Sequence, residues 1–492
     1  MNRCWKQRGL RLLGGAVGAI ALHQTVMIRP TAAQASTDLF VAYPPTTHTT
    51  VADRIFFIGT AAPDQPVTIN GQVIENRSDD GHFAPTLPLA FGENTFTLVQ
   101  GDESLTLTID RVSTSPALPD GVGFAEGSLM PAEDIARMPG ELVCLSAIAP
   151  TEATVSATLG QQNITLVPQS NIELPPNSAV LTDQIDPVNA EGSGATEYAG
   201  CTISEEEGNL GTPRFTLRAD GETVTAAAPG QVSILAPTAL EVAEVTSAQG
   251  IARVGPSTNY SRITPLPAGT RAAITGREGE WVRLDYGGWI KEAETIVSSA
   301  SVPPTTIMRG VTARQLDDWT EIIFPLQRPV PITIQQDTQS LSLTLHNTTP
   351  QTDTIYFSND PVVERMDFHP LLDNSAEFVF HFKQPQQWGY KTRYEGTSLI
   401  LSLRHAPPSN SLEGTTILLD PGHGSSEDLG ARGPTGYPEK DVTLIVSKLI
   451  RNELESRGAR VVMTREGDDD LFPRDRVEII DATEPTMALS IH

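Results

Sequence analysis

The sequence predicts a multidomain chain in which several all-β modules precede a segment of alternating strands and helices built on a mainly parallel sheet. Three observations carry this prediction. The chain has 492 residues, more than one hydrophobic core serves, which points to about three to five domains. Its 38 Pro and 39 Gly are spread widely rather than clumped, a pattern suited to short strands and turns. From about residue 414 the apolar spacing changes from strict alternation to stretches of helical periodicity.

The balance of 34 Lys+Arg against 60 Asp+Glu gives a net charge of −26. Such a surface repels phosphate backbones, so nucleic acid is excluded as a partner. At the N-terminus Arg3, Lys6, Arg8 and Arg11 precede the apolar run Leu12 to Leu22, and Ala33-Gln34-Ala35 follows. This is the layout of a secretory signal peptide spanning 1–35, with an uncleaved anchor as the alternative. Export to the periplasm or cell envelope is the expectation, with no transmembrane segment beyond the signal peptide. Cys4 lies in the signal. Cys144 and Cys201 remain, either as a disulfide or as two buried free thiols, without metal-site spacing.

The modules follow in order. Residues 38–112 read as an Ig-like β-sandwich, with the apolar run Ile55 to Ile58, the hairpin signal Asn70-Gly71 and alternating Leu105, Leu107 and Ile109. Residues 120–237 read as a second β-sandwich, with Ile164 and Leu166 alternating and Asp220-Gly221 as a hairpin turn. Residues 242–297 carry Arg253-Val254-Gly255-Pro256-Ser257, Trp281-Val282-Arg283-Leu284 and Gly288-Trp289-Ile290, and resemble a bacterial SH3-like barrel. Trp281, Tyr286 and Trp289 either line a peptide groove or fill the core of so small a domain, and core is the expectation. Residues 307–405 show the cleanest alternation, at Leu341/Leu343/Leu345, Phe378/Phe380/Phe382 and Leu399/Leu401/Leu403. They resemble the β-sandwich targeting modules found ahead of bacterial cell-wall amidases. His346, His369, His381 and His405 fall in these β patterns and read as structural.

In 414–492 a strand from Thr415 to Leu419 ends in Asp420-Pro421-Gly422-His423-Gly424. Val442, Ile445, Val446, Leu449, Ile450 and Leu454 then fall at helical spacing, with Gly458 as a stop. A strand at Arg460 to Thr464, a helix near Arg474 to Ile480 and a strand at Met487 to Ile491 complete the pattern. Strand–helix–strand–helix–strand implies parallel strands with right-handed crossovers. The carboxyl ends of such strands share one edge, where open α/β sheets place ligands. His423 follows the first strand, Glu439 precedes the first helix and His492 ends the third strand. Two imidazoles and a carboxylate suit zinc, with a fourth position for water.

DPGHG at 420–424, GARGPTGYPEKDV at 430–442, MTRE at 463–466, the Arg474/Arg476 helix and SIH at 490–492 resemble the zinc-dependent N-acetylmuramoyl-L-alanine amidase family. The resemblance covers about 80 residues and places the family's zinc ligands on His423, Glu439 and His492. It implies hydrolysis of the amide between N-acetylmuramic acid and L-alanine in peptidoglycan, with a protein activator as a further partner. The family continues past the SIH histidine to a strand bearing a glutamate general base, so that residue is expected beyond His492 and the chain reads as the N-terminal part of the amidase domain. Ser425-Ser426-Glu427-Asp428 replaces the family's second glycine and following aspartate, leaving open which acid supports the site. Glu427 and Asp428 read as loop residues or as supports of the ligand, and Arg465 as structural. The competing readings are a non-catalytic peptidoglycan-binding envelope protein and a zinc peptidase acting on stem peptides.

Overall fold

The computed structural model describes residues 39–112, 117–170, 172–173, 188–189, 194–351, 359–372, 374–407 and 411–492. The expected signal peptide lies outside the described residues. Among those that are described, no helix is long and apolar enough to cross a membrane.

Strands dominate up to residue 421. The first module closes a core of Ile55, Phe57, Leu98, Leu107 and Ile109 beneath the antiparallel ladder of Gly92–Gln100 and Glu103–Arg111. Its hairpin turn puts Asn70 and Gly71 at φ 49° and 79°, the left-handed pair that a two-residue turn requires. In the next module Leu142–Pro150 pairs along its length with Ala195–Ile203. Cys144 stands directly opposite Cys201 in that register, and the two form a disulfide.

Strand pairing then continues past residue 237. Ile135–Arg137 hydrogen-bonds both to Val232–Ile234 and to Arg271–Glu278, so one sheet runs from the second module into the barrel. Two ion pairs lock the junction, Arg137 to Glu278 at 2.6 Å and Arg283 to Glu141 at 2.6 Å. Trp281 and Trp289 are buried, and the Trp289 ring is approached by the guanidinium groups of Arg137 and Arg283 at 5.8 and 5.9 Å. Tyr286 packs on His346 of the following module, with ring centroids 4.9 Å apart, and Asp285 accepts from Asn347 Nδ2 at 3.0 Å. These aromatics fill core and junction rather than an open groove.

The following module contains two four-stranded sheets, one including Trp319–Phe324 and Ser398–Arg404, the other Ser340–Leu345 and Ala376–Phe382, and a short parallel pair of Thr306–Met308 with Thr348–Pro350. Every member of the three alternating triplets faces the shared core. A strand's side-chain period of two puts one whole set on one face.

The last segment contains β1 (Thr416–Pro421), α1 (Glu439–Ser456), β2 (Arg460–Met463), α2 (Pro473–Thr483) and β3 (Met487–Ile491). β1 lies between β2 and β3, and both pairs are parallel. The elements follow one another in the order read from the sequence, but β1 extends to Pro421, α1 begins at Glu439 and α2 runs from Pro473 to Thr483. The buried face of α1 differs from that expectation. Lys440, Thr443 and Ser447 are buried, Ile450 and Leu454 pack on Ile417, Leu419 and Ala459, and Val442, Ile445 and Leu449 are 45%, 50% and 64% exposed. The apolar residues of α1 therefore make two stripes, and only one meets the sheet.

Candidate metal centre

The site forms at the carboxyl edge of the parallel sheet. β1 ends at Pro421, and Gly422 continues the pairing by donating its N–H to Ile491 O at 2.9 Å. That register sets Gly422 against the residue after β3, so a Cβ at Gly422 would lie 2.4 Å from the His492 ring. His423 follows in the left-handed region, φ 60°, a conformation uncommon for non-glycine residues. Its carbonyl accepts from Arg476 Nη2 at 2.8 Å, and Arg476 also pairs with Asp420 and donates to Pro421 O. α2 thus holds the strand-end turn from the side.

Glu439 opens α1 rather than preceding it, and so stands at the positive end of the helix dipole. Its Oε2 accepts the Ala431 N–H at 2.9 Å and lies 3.2 Å from His423 Nε2. Its Oε1 lies 3.2 Å from His492 Nδ1. Burial pushes this carboxyl up, but the Ala431 N–H and the two imidazoles more than reverse that, and it titrates below the usual glutamate range. The His423 and His492 rings meet edge to face, 5.1 Å between centroids. One ligand atom from each of His423, Glu439 and His492 lies within 4.8 Å of the other two. The structure thus brings together all three residues selected from the sequence. Glu427 is not part of that cluster.

The acid beside the site is Asp428: its Oδ1 is 2.7 Å from His423 Nδ1. A carboxylate on one ring nitrogen leaves the other turned toward Glu439, the arrangement commonly found around metal-bound histidines. Arg465 is 2% exposed and spends its donors on Pro421 O, Gly422 O, Lys440 O and Gly467 O. It is structural, as expected. Asp420 is nearly buried. Burial raises its pKa, while hydrogen bonds from Thr464, Arg476 and Ser490 lower it further than burial raises it.

Two residues quoted only as parts of motifs prove to be contributors. Gly430, at φ 66°, passes so close to the site that a Cβ would lie 2.5 Å from His423 Cδ2 and 2.8 Å from Glu439 Cβ. Arg476, on α2, ties the turn of His423 to Asp420. Its position in the family's arginine-bearing helix was the only available signal.

Residues 417–492 match the model of the N-acetylmuramoyl-L-alanine amidase family. Over 100 residues the chain is 43% identical to the germination-specific N-acetylmuramoyl-L-alanine amidase of Bacillus subtilis (strain 168), covering 18% of this chain and 41% of that protein. Over 74 residues it is 46% identical to the probable cell wall amidase LytH of Staphylococcus aureus, covering 15% of this chain and 25% of that one. Among solved structures it is similar to the N-acetylmuramoyl-L-alanine amidase AmiC2 of Nostoc punctiforme, at 40% identity over 16% of this chain and 44% of that chain, with a TM-score of 0.16. The chain spans less than half the length of each of these relatives.

Proposed function

We propose that the chain is an exported, zinc-dependent N-acetylmuramoyl-L-alanine amidase that hydrolyses the amide between N-acetylmuramic acid and L-alanine in peptidoglycan. The observation that carries this reading is the convergence of His423, Glu439 and His492 within a segment that matches the amidase family. The donor set fits zinc: two imidazoles and one carboxylate are a three-ligand set of the kind that catalytic zinc sites complete with water. Zinc held by these three residues would polarise the scissile carbonyl and lower the pKa of a bound water toward ~7.

The chain's own residues prepare the site. Asp428 orients the His423 ring by holding Nδ1. The Ala431 N–H and the two imidazoles favour the carboxylate form of Glu439. Gly422 and Gly430 leave room for the rings of His492 and His423. Arg465 and Arg476 hold the carbonyls of the strand-end turn. The upstream β modules place the site on the wall, and a protein activator is a further partner. The disulfide between Cys144 and Cys201 supports an oxidising compartment such as the periplasm or cell envelope.

The test is digestion of purified peptidoglycan by the zinc-loaded protein in a form that includes the general-base glutamate expected from the resemblance. Amidase activity releases intact stem peptides with new L-alanine N-termini, and His423→Ala or a chelator abolishes the release. Cleavage inside the stem would identify a peptidase instead. Wall binding without release would favour the non-catalytic envelope protein.

A further inference from the structure

The α2–β3 turn, which leads into the strand ending at His492, is held from outside the segment. α2 has no basic residue in its last turn, and Glu484 caps it in a left-handed conformation. A helix C-terminus favours a cation, and here the preceding β module supplies two. Arg404 donates through Nη1 to Pro485 O and through Nη2 to Glu484 O, and Lys391 pairs with the Glu484 carboxylate. Both cations rest on one ring: Lys391 Nζ is 5.0 Å and Arg404 Cζ 5.6 Å from the Trp319 centroid. The three residues come from adjacent strands, so the clamp is prearranged on the module's surface.

The clamp acts at the turn that leads into β3, which pairs with β1. The ladder begins at Thr486, whose N–H donates to Thr416 O at 2.7 Å, and runs to Ile491, opposite Pro421. A one-residue slip in a strand turns every side chain to the other face. What fixes the turn before β3 therefore bears on where its last residue falls.

We propose that Arg404, supported by Lys391 and Trp319, is a positioning residue for His492. Through the Glu484-Pro485 turn it sets the register of β3 and so the approach of His492 to Glu439. The β module is then part of the metal site's support as well as a candidate wall-binding unit. The proposal rests on the zinc reading for its consequence, but the clamp itself can be tested separately.

The test measures zinc affinity of the full chain by competition with a chromophoric chelator, the visible absorption of the Co2+-loaded chain, and hydrogen exchange at Met487–Ile491. Arg404→Ala is expected to weaken zinc binding about three- to tenfold, less than loss of a direct hydrogen-bond partner to a ligand costs. It should also shift the Co2+ spectrum and speed exchange in β3. Arg404→Lys should restore part of each change, and Lys391→Ala should give a smaller change in the same direction. Unchanged exchange at Phe378 and Phe380 in the variants would show that the β module stays folded. Wild-type zinc affinity and wild-type β3 exchange in Arg404→Ala would overturn the proposal. If the wild-type chain takes up no zinc, the metal reading fails, and β3 exchange alone then decides for or against the clamp.

Discussion

Replacing Gly430 by alanine tests how tightly the site is built. Gly430 lies at φ 66°, where an L-residue with a Cβ costs about 1–2 kcal/mol. The new methyl would also stand 2.5 Å from His423 Cδ2 and 2.8 Å from both Glu439 Cβ and Oε2. The His423 ring can rotate, but the Glu439 Cβ is fixed to the first residue of α1, so the helix start must shift. Overpacking of this kind adds about 1–3 kcal/mol, for a local loss of about 2–5 kcal/mol. The chain has several separate cores, so a single unfolding free energy is poorly defined for it. The readout is therefore hydrogen exchange of the β1 amides, together with zinc affinity. Gly430→Ala should lower β1 protection by that amount and weaken zinc at least about tenfold. Gly433→Ala is the control. Its φ is ordinary and its Cβ would meet only Tyr437 O at 3.9 Å. Equal zinc affinity and equal protection in Gly430→Ala and wild type would refute the reasoning.

Three further outcomes are expected. Asp428→Asn should lower zinc affinity about tenfold while Glu427→Gln leaves it unchanged, because only Asp428 holds His423 Nδ1; equal effects in a chelator competition would remove Asp428 from its role. Glu321 is 6% exposed; burial pushes its carboxyl up, but hydrogen bonds and charge from Arg393 and Arg314 hold it below the usual range. Its folded pKa lies below the unfolded value of about 4.3. The stabilisation is therefore complete above that pH and is lost as pH falls through the folded value. Denaturant midpoints followed by hydrogen exchange at Ile322 and Leu401 should fall on acidification in wild type and much less in Glu321→Gln, and parallel curves would contradict this. The disulfide closes a separation of 57 residues, so Cys144→Ser/Cys201→Ser should destabilise that module by roughly 2–4 kcal/mol in urea unfolding; an unchanged midpoint would show that strand pairing alone suffices.

The parts of the structure legible in the sequence are those governed by local periodicity. Leu341, Leu343 and Leu345 face the core because alternate strand residues share a face. His423, Glu439 and His492 converge because a parallel sheet sends its strand ends and helix starts to one edge. What stayed hidden depends on contacts distant in sequence. Thr443 and Ser447 face the sheet while Leu449 faces outward, and helical spacing alone cannot decide between two apolar stripes. The choice between Glu427 and Asp428 turned on where the loop after His423 points one carboxylate. Gly430 looked like any loop glycine until the fold brought two ligands beside it. Pairing of Ile135–Arg137 with Arg271–Glu278 left no trace in either segment. A disulfide and a pair of free thiols stayed equivalent until the register set Cys144 against Cys201.

The central claim is that His423, Glu439 and His492 form one zinc site. It is tested most directly by measuring the zinc content and zinc-edge X-ray absorption of the purified full chain beside His492→Ala. The expected result is one tightly held zinc per chain with two imidazole ligands and one carboxylate, falling to one imidazole and weaker retention in the variant. A chain that holds no zinc after exposure to a stoichiometric amount, or a variant whose zinc content and spectrum match wild type, would contradict it.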